Sequence, residues 1–188
     1  LVVYGDVLVS AENIKALIDN ANKNRAIATA LLQPLENEKP NDWLCAQKSS
    51  DQIEHVLGHP RDDVTHRFGG AFVLQKSFLP YLKNNPGIMQ ATQVAMMSPD
   101  EAHLEDSLQM AINDKQSIGA VESVHTIVDV DKPWHILEAN EVWLQYLSDK
   151  LEKDVIGKNS KISDGANIDG KIIVGDNCTI GPGVYIEG

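Results

Sequence analysis

Residues 155–188 read VIGKNSKISDGANIDGKIIVGDNCTIGPGVYIEG. Within that stretch Ile156, Ile162, Ile168, Val174, Ile180 and Ile186 recur at a strict spacing of six. The chain holds 16 Val and 16 Ile among 188 residues, so six consecutive hits by chance have odds of roughly 2 in 100,000. The period is therefore a structural signal. Two places before each later repeat position stand Ser160, Ala166, Ile172, Cys178 and Val184, mostly small or β-branched, and Gly157, Gly175 and Gly181 directly follow an apolar position. Each hexad reads as one short strand and one turn. Three hexads then make a triangular coil, with the apolar residue pointing into the stack and Gly or Asn relieving the turn.

This pattern resembles the hexapeptide-repeat proteins, whose left-handed parallel β-helices commonly trimerise and many of which are acyltransferases using a histidine on the coils. The resemblance implies a homo-oligomer, a trimer through the β-helix. All six histidines here, at positions 55, 59, 66, 103, 125 and 135, precede the repeats, so no acyl-transfer site is assigned within these coils. Fewer than two full coils are present, whereas a repeat array generally needs about three units. Either the stack continues in further sequence or a partner supports it.

Upstream of the coils, the pattern alternates. Leu1-Val2-Val3-Tyr4-Gly5-Asp6 reads as a buried parallel strand ending in Gly-Asp. Ser10 is a good N-cap for a helix over 12–23, with Ile14, Leu17 and Ile18 inward. Strands are expected over 26–32, 43–47 and 52–57 (the last two as a more exposed hairpin), then over 68–74, 118–121 and 126–130. Helices are expected over 76–83, after the Ser98-Pro99-Asp100-Glu101 capping box, and from Pro133 with Trp134, Leu137, Leu144, Leu147 and Leu151 at helical spacing. Alternating strands and helices predict an open α/β sheet over 1–150, followed by the coils over 155–188. The chain lacks an initiator Met and stops inside a repeat, and reads as a fragment cut at both ends.

Composition narrows the partners. A formal charge of −11 argues against nucleic acid or an anionic membrane. No apolar run approaches the roughly 18–20 residues that cross a bilayer. Cys45 and Cys178 lie far apart without metal-ligand spacing, which predicts a reduced, cytoplasmic protein. Cys45 has no basic residue directly beside it in sequence to lower its pKa and is given no role.

Two carboxylate motifs follow apolar strands: Gly5-Asp6 and Asp129-Val130-Asp131. In open α/β sheets, ligands bind beyond the carboxyl ends of the strands. Two acids gathered there repel each other unless a cation lies between them, and Mg²⁺ favours one or two carboxylates with waters and substrate phosphates. On the residues alone, Gly-Asp also reads as a turn, and Asp131 as a helix cap.

The order Leu-Val-Val-Tyr-Gly-Asp, Phe-Gly-Gly-Ala-Phe-Val-Leu, Val-Asp-Val-Asp-Lys-Pro-Trp-His-Ile-Leu-Glu-Ala-Asn-Glu resembles the sugar-1-phosphate nucleotidylyltransferases. With the hexad tail, the whole is similar to the bifunctional members that join a nucleotidyltransferase to an acyltransferase. The resemblance implies an incomplete Rossmann-like nucleotidyltransferase sheet and a Mg²⁺-dependent reaction. In it, a sugar-1-phosphate attacks the α-phosphorus of a nucleoside triphosphate and pyrophosphate leaves. It also implies Asp6 and Asp129 as the metal ligands and catalytic acids. Gly5 would lie near the nucleotide phosphates and Gly70 against the sugar nucleotide.

Several positions depart from the family pattern. No glycine-rich phosphate loop occurs, consistent with a truncated start. Where the family usually has Glu-Lys-Pro, this chain has Gly58-His59-Pro60 followed by Arg61, so this segment reads either as a solvated loop or as one in which His59 or Arg61 substitutes as the substrate contact. Phe68 stands where asparagine is common, and Asp131 where glycine is common. His125 and His135 flank Asp129 and read as surface or core histidines; Trp134 and Trp143 read as packing residues. Two alternatives to the enzyme remain: a non-catalytic nucleotide-sugar-binding or assembly protein of this fold, and an acyltransferase acting through further coils.

Overall fold

The computed structural model describes residues 1–60, 64–88 and 102–187. These fall into two compact units, 1–129 and 130–188. The first is built on β1 (Val2–Val3), β2 (Val7–Leu8), α1 (Ala11–Lys23), β3 (Ala28–Pro34), β4 (Leu44–Ser49), β5 (Gln52–Gly58) and β6 (His66–Leu74). It continues through α2 (Leu79–Lys83), α3 (Leu104–Asn113), β7 (Ile118–Glu122) and β8 (Val128–Asp129). The second holds α4 (His135–Asp149) and six short strands, β9 (Val155–Ile156), β10 (Lys161–Ile162), β11 (Asn167–Asp169), β12 (Ile173–Val174), β13 (Thr179–Ile180) and β14 (Tyr185–Glu187). The division after Asp129 puts α4 with the coils, earlier than the boundary expected near residue 150.

A six-stranded sheet in the order β1-β6-β3-β7-β5-β4 forms the centre of the first unit. Central β3 is apolar on both faces and is covered on both, as its near-continuous Ala-Thr-Ala-Leu-Leu run requires. Side chains alternate along a strand. Ala28, Ala30 and Leu32 accordingly join Phe72, Phe78, Leu108 and Ile118 on one face. Leu31 meets Leu17 of α1, Ala71, Val121 and Ile127 on the other. Helix α1 starts where expected: the Asn13 amide donates to the Ser10 hydroxyl at 3.2 Å. Its inward stripe is Asn13, Leu17 and Ala21, while Ile18, expected inward, is 37% exposed. A polar residue heads the stripe, which apolar periodicity cannot reveal.

The sheet is mixed rather than parallel: β3 and β7 run parallel, while β1–β6, β3–β6, β4–β5, β4–β6 and β5–β7 are antiparallel. The expectation of a buried parallel strand at residues 1–6 is corrected here. β1 is a two-residue edge strand antiparallel to β6, with Val2 opposite Phe72 and Val3 opposite Ala71. A short apolar run does not encode direction. The β4–β5 hairpin forms as expected, yet it extends the main sheet and buries Cys45 and Ala46. The capping box at 98–101 lies outside the described residues, and α3 begins at Leu104.

In the second unit the three strand pairs are parallel, joining Val155 to Ile173, Lys161 to Thr179 and Asn167 to Tyr185. Each partner lies 18 residues on, three hexads per coil, which is the triangular β-helix expected from the repeat. Asn159 and Asn177 hold equivalent corners at φ 58° and 57°, and the Asn159 amide donates to Asn177 Oδ1 at 3.2 Å. Gly157 has no substitute at its corner: a Cβ there would meet the Gly175 carbonyl carbon at 2.4 Å. Helix α4 buries none of its residues, and Trp134 (64%), Leu137 (72%) and Leu144 (66%) stand exposed. Trp134 is thus corrected from packing residue to exposed residue, since helical spacing defines a face without supplying its cover. Trp143 stacks on Tyr146 at 4.7 Å between ring centroids.

Candidate functional site

The two proposed acids are distant in sequence and adjacent in register. β2 pairs antiparallel with β8, setting Val7 opposite Asp129 and Leu8 opposite Val128. Asp6 is therefore one residue from the position that faces Asp129. Asp6 is exposed in the turn between β1 and β2, while Asp129 is half-buried. Gly5 beside Asp6 opens onto free space, with no atom within 4 Å of where a Cβ would be.

Both acid-bearing segments lie on β6, and two glycines make that approach possible. At Gly69 a Cβ would strike Ile127 Cδ1 at 2.6 Å. At Gly70, where φ is +66°, it would strike Val7 Cγ2 at 2.6 Å and approach Tyr4 Cδ2 at 3.3 Å. Gly70 also accepts a hydrogen bond from the Tyr4 amide at 2.9 Å. The described contacts of Gly70 are thus with the Asp6 segment.

Three buried polar side chains fasten the loop that leads to Asp129. Asn13 Oδ1 accepts from the amides of Val124 (2.7 Å) and His125 (3.2 Å), and Asn13 Nδ2 donates to the His125 carbonyl at 2.8 Å. Gln33 Oε1 accepts from the Ser123 hydroxyl at 2.7 Å and the Ile127 amide at 3.2 Å. Arg67 Nη2 donates to the Ile127 carbonyl at 2.8 Å. Sequence reasoning missed all three. The only available signal was polar residues inside otherwise apolar strand and helix stripes. At the end of β7, Glu122 accepts from His66 (3.1 Å) and Lys48 (3.2 Å), and these bonds, His66 first, hold its carboxyl below the ordinary carboxylate range.

His59 sits away from the acids, at the exit of β5, with φ 45°. Its amide donates to the Trp43 carbonyl at 3.0 Å, and its Nδ1 lies 3.1 Å from the Asn41 carbonyl. A carbonyl only accepts, so Nδ1 carries a proton in this contact. An open depression is lined by His59, Pro40, Asn41 and Pro60. Arg61 lies outside the described residues. In the second unit Asp131 pairs with His135 Nδ1 at 2.7 Å.

Among the described residues, no group of three or more His, Cys, Asp and Glu side chains gathers to hold a metal. A site with only two carboxylates suits a cation that brings further ligands with it. Mg²⁺ does so, retaining waters and binding substrate phosphates beside one or two carboxylates.

Solved structures match this chain over most of its length. A UTP-bound UGPase from Acinetobacter baumannii matches with a TM-score of 0.59 at 17% identity, over 80% of this chain and 51% of that one. The inositol-1-phosphate CTP transferase from T. maritima matches with a TM-score of 0.55 at 13% identity, over 73% of this chain and 53% of that one. This chain shares the nucleotidyltransferase fold. An apo UDP-glucose pyrophosphorylase gives a TM-score of 0.58 at 13% identity, over 77% of this chain and 54% of the other. The chain thus spans about half the length of the nucleotidyltransferases it matches. Residues 155–188 match the family model described as bacterial transferase hexapeptide (six repeats). No curated protein matches the chain. Among the described residues no helix is long and apolar enough to cross a membrane.

Proposed function

We propose that this chain is part of a sugar-1-phosphate nucleotidylyltransferase, with Asp6 and Asp129 as its Mg²⁺ ligands. The observation that supports it is the β2–β8 pairing, which sets Val7 against Asp129, so that Asp6 is one residue along the chain from Asp129's partner. Bound Mg²⁺ would neutralise charge at the α-phosphate as pyrophosphate leaves. Asp6, exposed, and Asp129, held by its fastened loop, would fix the cation with little rearrangement. Gly5, with open space around it, leaves room for phosphate oxygens. His59 would meet the sugar through Nε2, an acceptor for a hydroxyl, and Arg61 would add a further contact, while Gly70, expected against the sugar nucleotide, would serve by letting the Asp6 segment pack on β6. Such transfers depend on positioning and charge neutralisation, so no nucleophilic triad is required.

In this reading the chain lacks the glycine-rich loop that would grip the triphosphate, and the whole gene product carries the activity, assembled as a trimer through the coils. The test is pyrophosphate release from a nucleoside triphosphate and a sugar-1-phosphate by that product. Asp6→Asn and Asp129→Asn should each abolish the Mg²⁺-dependent rate, and full activity in both sinks the metal assignment. A second reading, nucleotide-sugar binding without turnover, draws on Gly58-His59-Pro60 standing in place of an acidic sugar contact. Calorimetric binding of a nucleotide sugar with no pyrophosphate release would favour it.

A further inference from the structure

We propose that Arg67 is a positioning residue that couples the His59 depression to the strand carrying Asp129. The inference rests on the reading above of those two places as ends of one site. Arg67 lies on β6 and is 3% exposed. A guanidinium removed from water is costly unless its donors are matched. Here two of its nitrogens and its planar face have partners. Nη2 donates to the Ile127 carbonyl at 2.8 Å, two residues before Asp129. Nε donates to Glu38 Oε2 at 2.8 Å, and the guanidinium lies 4.2 Å from the Trp43 ring centroid.

Glu38 and Trp43 flank the Pro40–Asn41 turn that lines the depression. Trp43 itself accepts the His59 amide at 3.0 Å and donates its own amide to Pro40 at 3.1 Å. A continuous path of contacts, two hydrogen bonds joined by a cation–π stack, therefore runs from His59 through Trp43 and Arg67 to Ile127, all within the first unit. Lysine cannot replace this arrangement: its point charge lacks the planar fork that meets a carboxylate, a carbonyl and a ring face together. The strand expected over 68–74 starts one residue past Arg67, whereas the observed strand includes it.

The experiment perturbs the far end and reads the near one. Glu38→Gln lies on a side chain 38% exposed and removes the ion pair without emptying the core. It should speed amide exchange across 124–129 and weaken Mn²⁺ binding, read by electron paramagnetic resonance, by about threefold, with exchange in α3 unchanged. Arg67→Lys should weaken Mn²⁺ about tenfold, as loss of an outer support of a metal ligand does. Unchanged exchange at 124–129 in Glu38→Gln overturns the coupling, as does an equal rise throughout α3. Should Arg67→Lys fail to fold, Glu38→Gln alone decides. A wild-type chain that binds no Mn²⁺, in which Glu38→Gln still speeds exchange at 124–129, removes the metal reading and leaves the coupling standing.

Discussion

The hydroxyl of Tyr4 donates to both carboxylate oxygens of Glu105, at 3.1 and 3.0 Å, joining the residue after β1 to the first turn of α3. Glu105 is 2% exposed, and burial pushes its carboxyl above the ordinary range, only partly offset by its hydrogen bonds. Burial also raises the Tyr4 hydroxyl, with the Glu105 charge adding to it. A carboxyl whose folded pKa lies above its unfolded value contributes stability at low pH, and that stability is lost as pH rises through the folded value. Glu105→Gln should therefore be more stable than wild type at neutral pH, seen as a higher melting temperature. The gain should shrink toward about pH 4, where the wild-type carboxyl is protonated. Paired melts across that range check it. A variant that melts lower at pH 7 counts against the raised pKa.

Gly70→Ala should cost about 2–4 kcal/mol, combining left-handed backbone strain with a collision against Val7. Chemical denaturation measures the loss. Because Val7 is the partner of Asp129, Mn²⁺ affinity should fall in any Gly70→Ala protein that still folds.

Asn13→Ala removes three hydrogen bonds to the 124–125 backbone from a fully buried site. A loss of about 2–3 kcal/mol is expected, because backbone groups are left unmatched. Hydrogen exchange should rise at Val124 and His125 before it rises in β3.

The two cysteines should separate in a thiol-reagent assay. Burial pushes Cys45 up to about 12, with Arg67 opposing and Glu38 adding to the rise, whereas Cys178 is exposed. One thiol should react promptly at pH 8 and disappear in Cys178→Ala. Two promptly reactive thiols would contradict the burial of Cys45.

In the coils, Gly157→Ala should disrupt local pairing, because a Cβ would sit 2.4–2.5 Å from the Gly175–Asp176 backbone. Gly181→Ala meets nothing within 4 Å and should change stability by no more than about 0.5 kcal/mol. Exchange protection over 155–180 distinguishes the two.

The coils were legible because one number, the six-residue period, carries both strand and turn, and the observed 18-residue offset is three times that number. The nucleotidyltransferase sheet was legible through the order of its apolar runs. Strand direction was not. Leu1–Asp6 reads the same whether parallel or antiparallel, and only its pairing with β6 decides. Side chains whose value lies in distant partners were also invisible: Asn13, Gln33, Arg67 and Glu105 look like ordinary polar positions until the loop before Asp129 and the Tyr4 hydroxyl meet them. Exposure of Leu137 and Trp134 escaped the reading for the converse reason, since an apolar stripe names no cover.

The offset between stacked strands sets a rule for how this tail can change length. Removing six residues would carry every later side chain to the next face of the triangle, breaking the corner match of Asn159 with Asn177. Removing eighteen would shorten the column by one storey, about 4.8 Å, and leave every face in place. Natural variants of this tail should therefore gain or lose sequence in whole storeys.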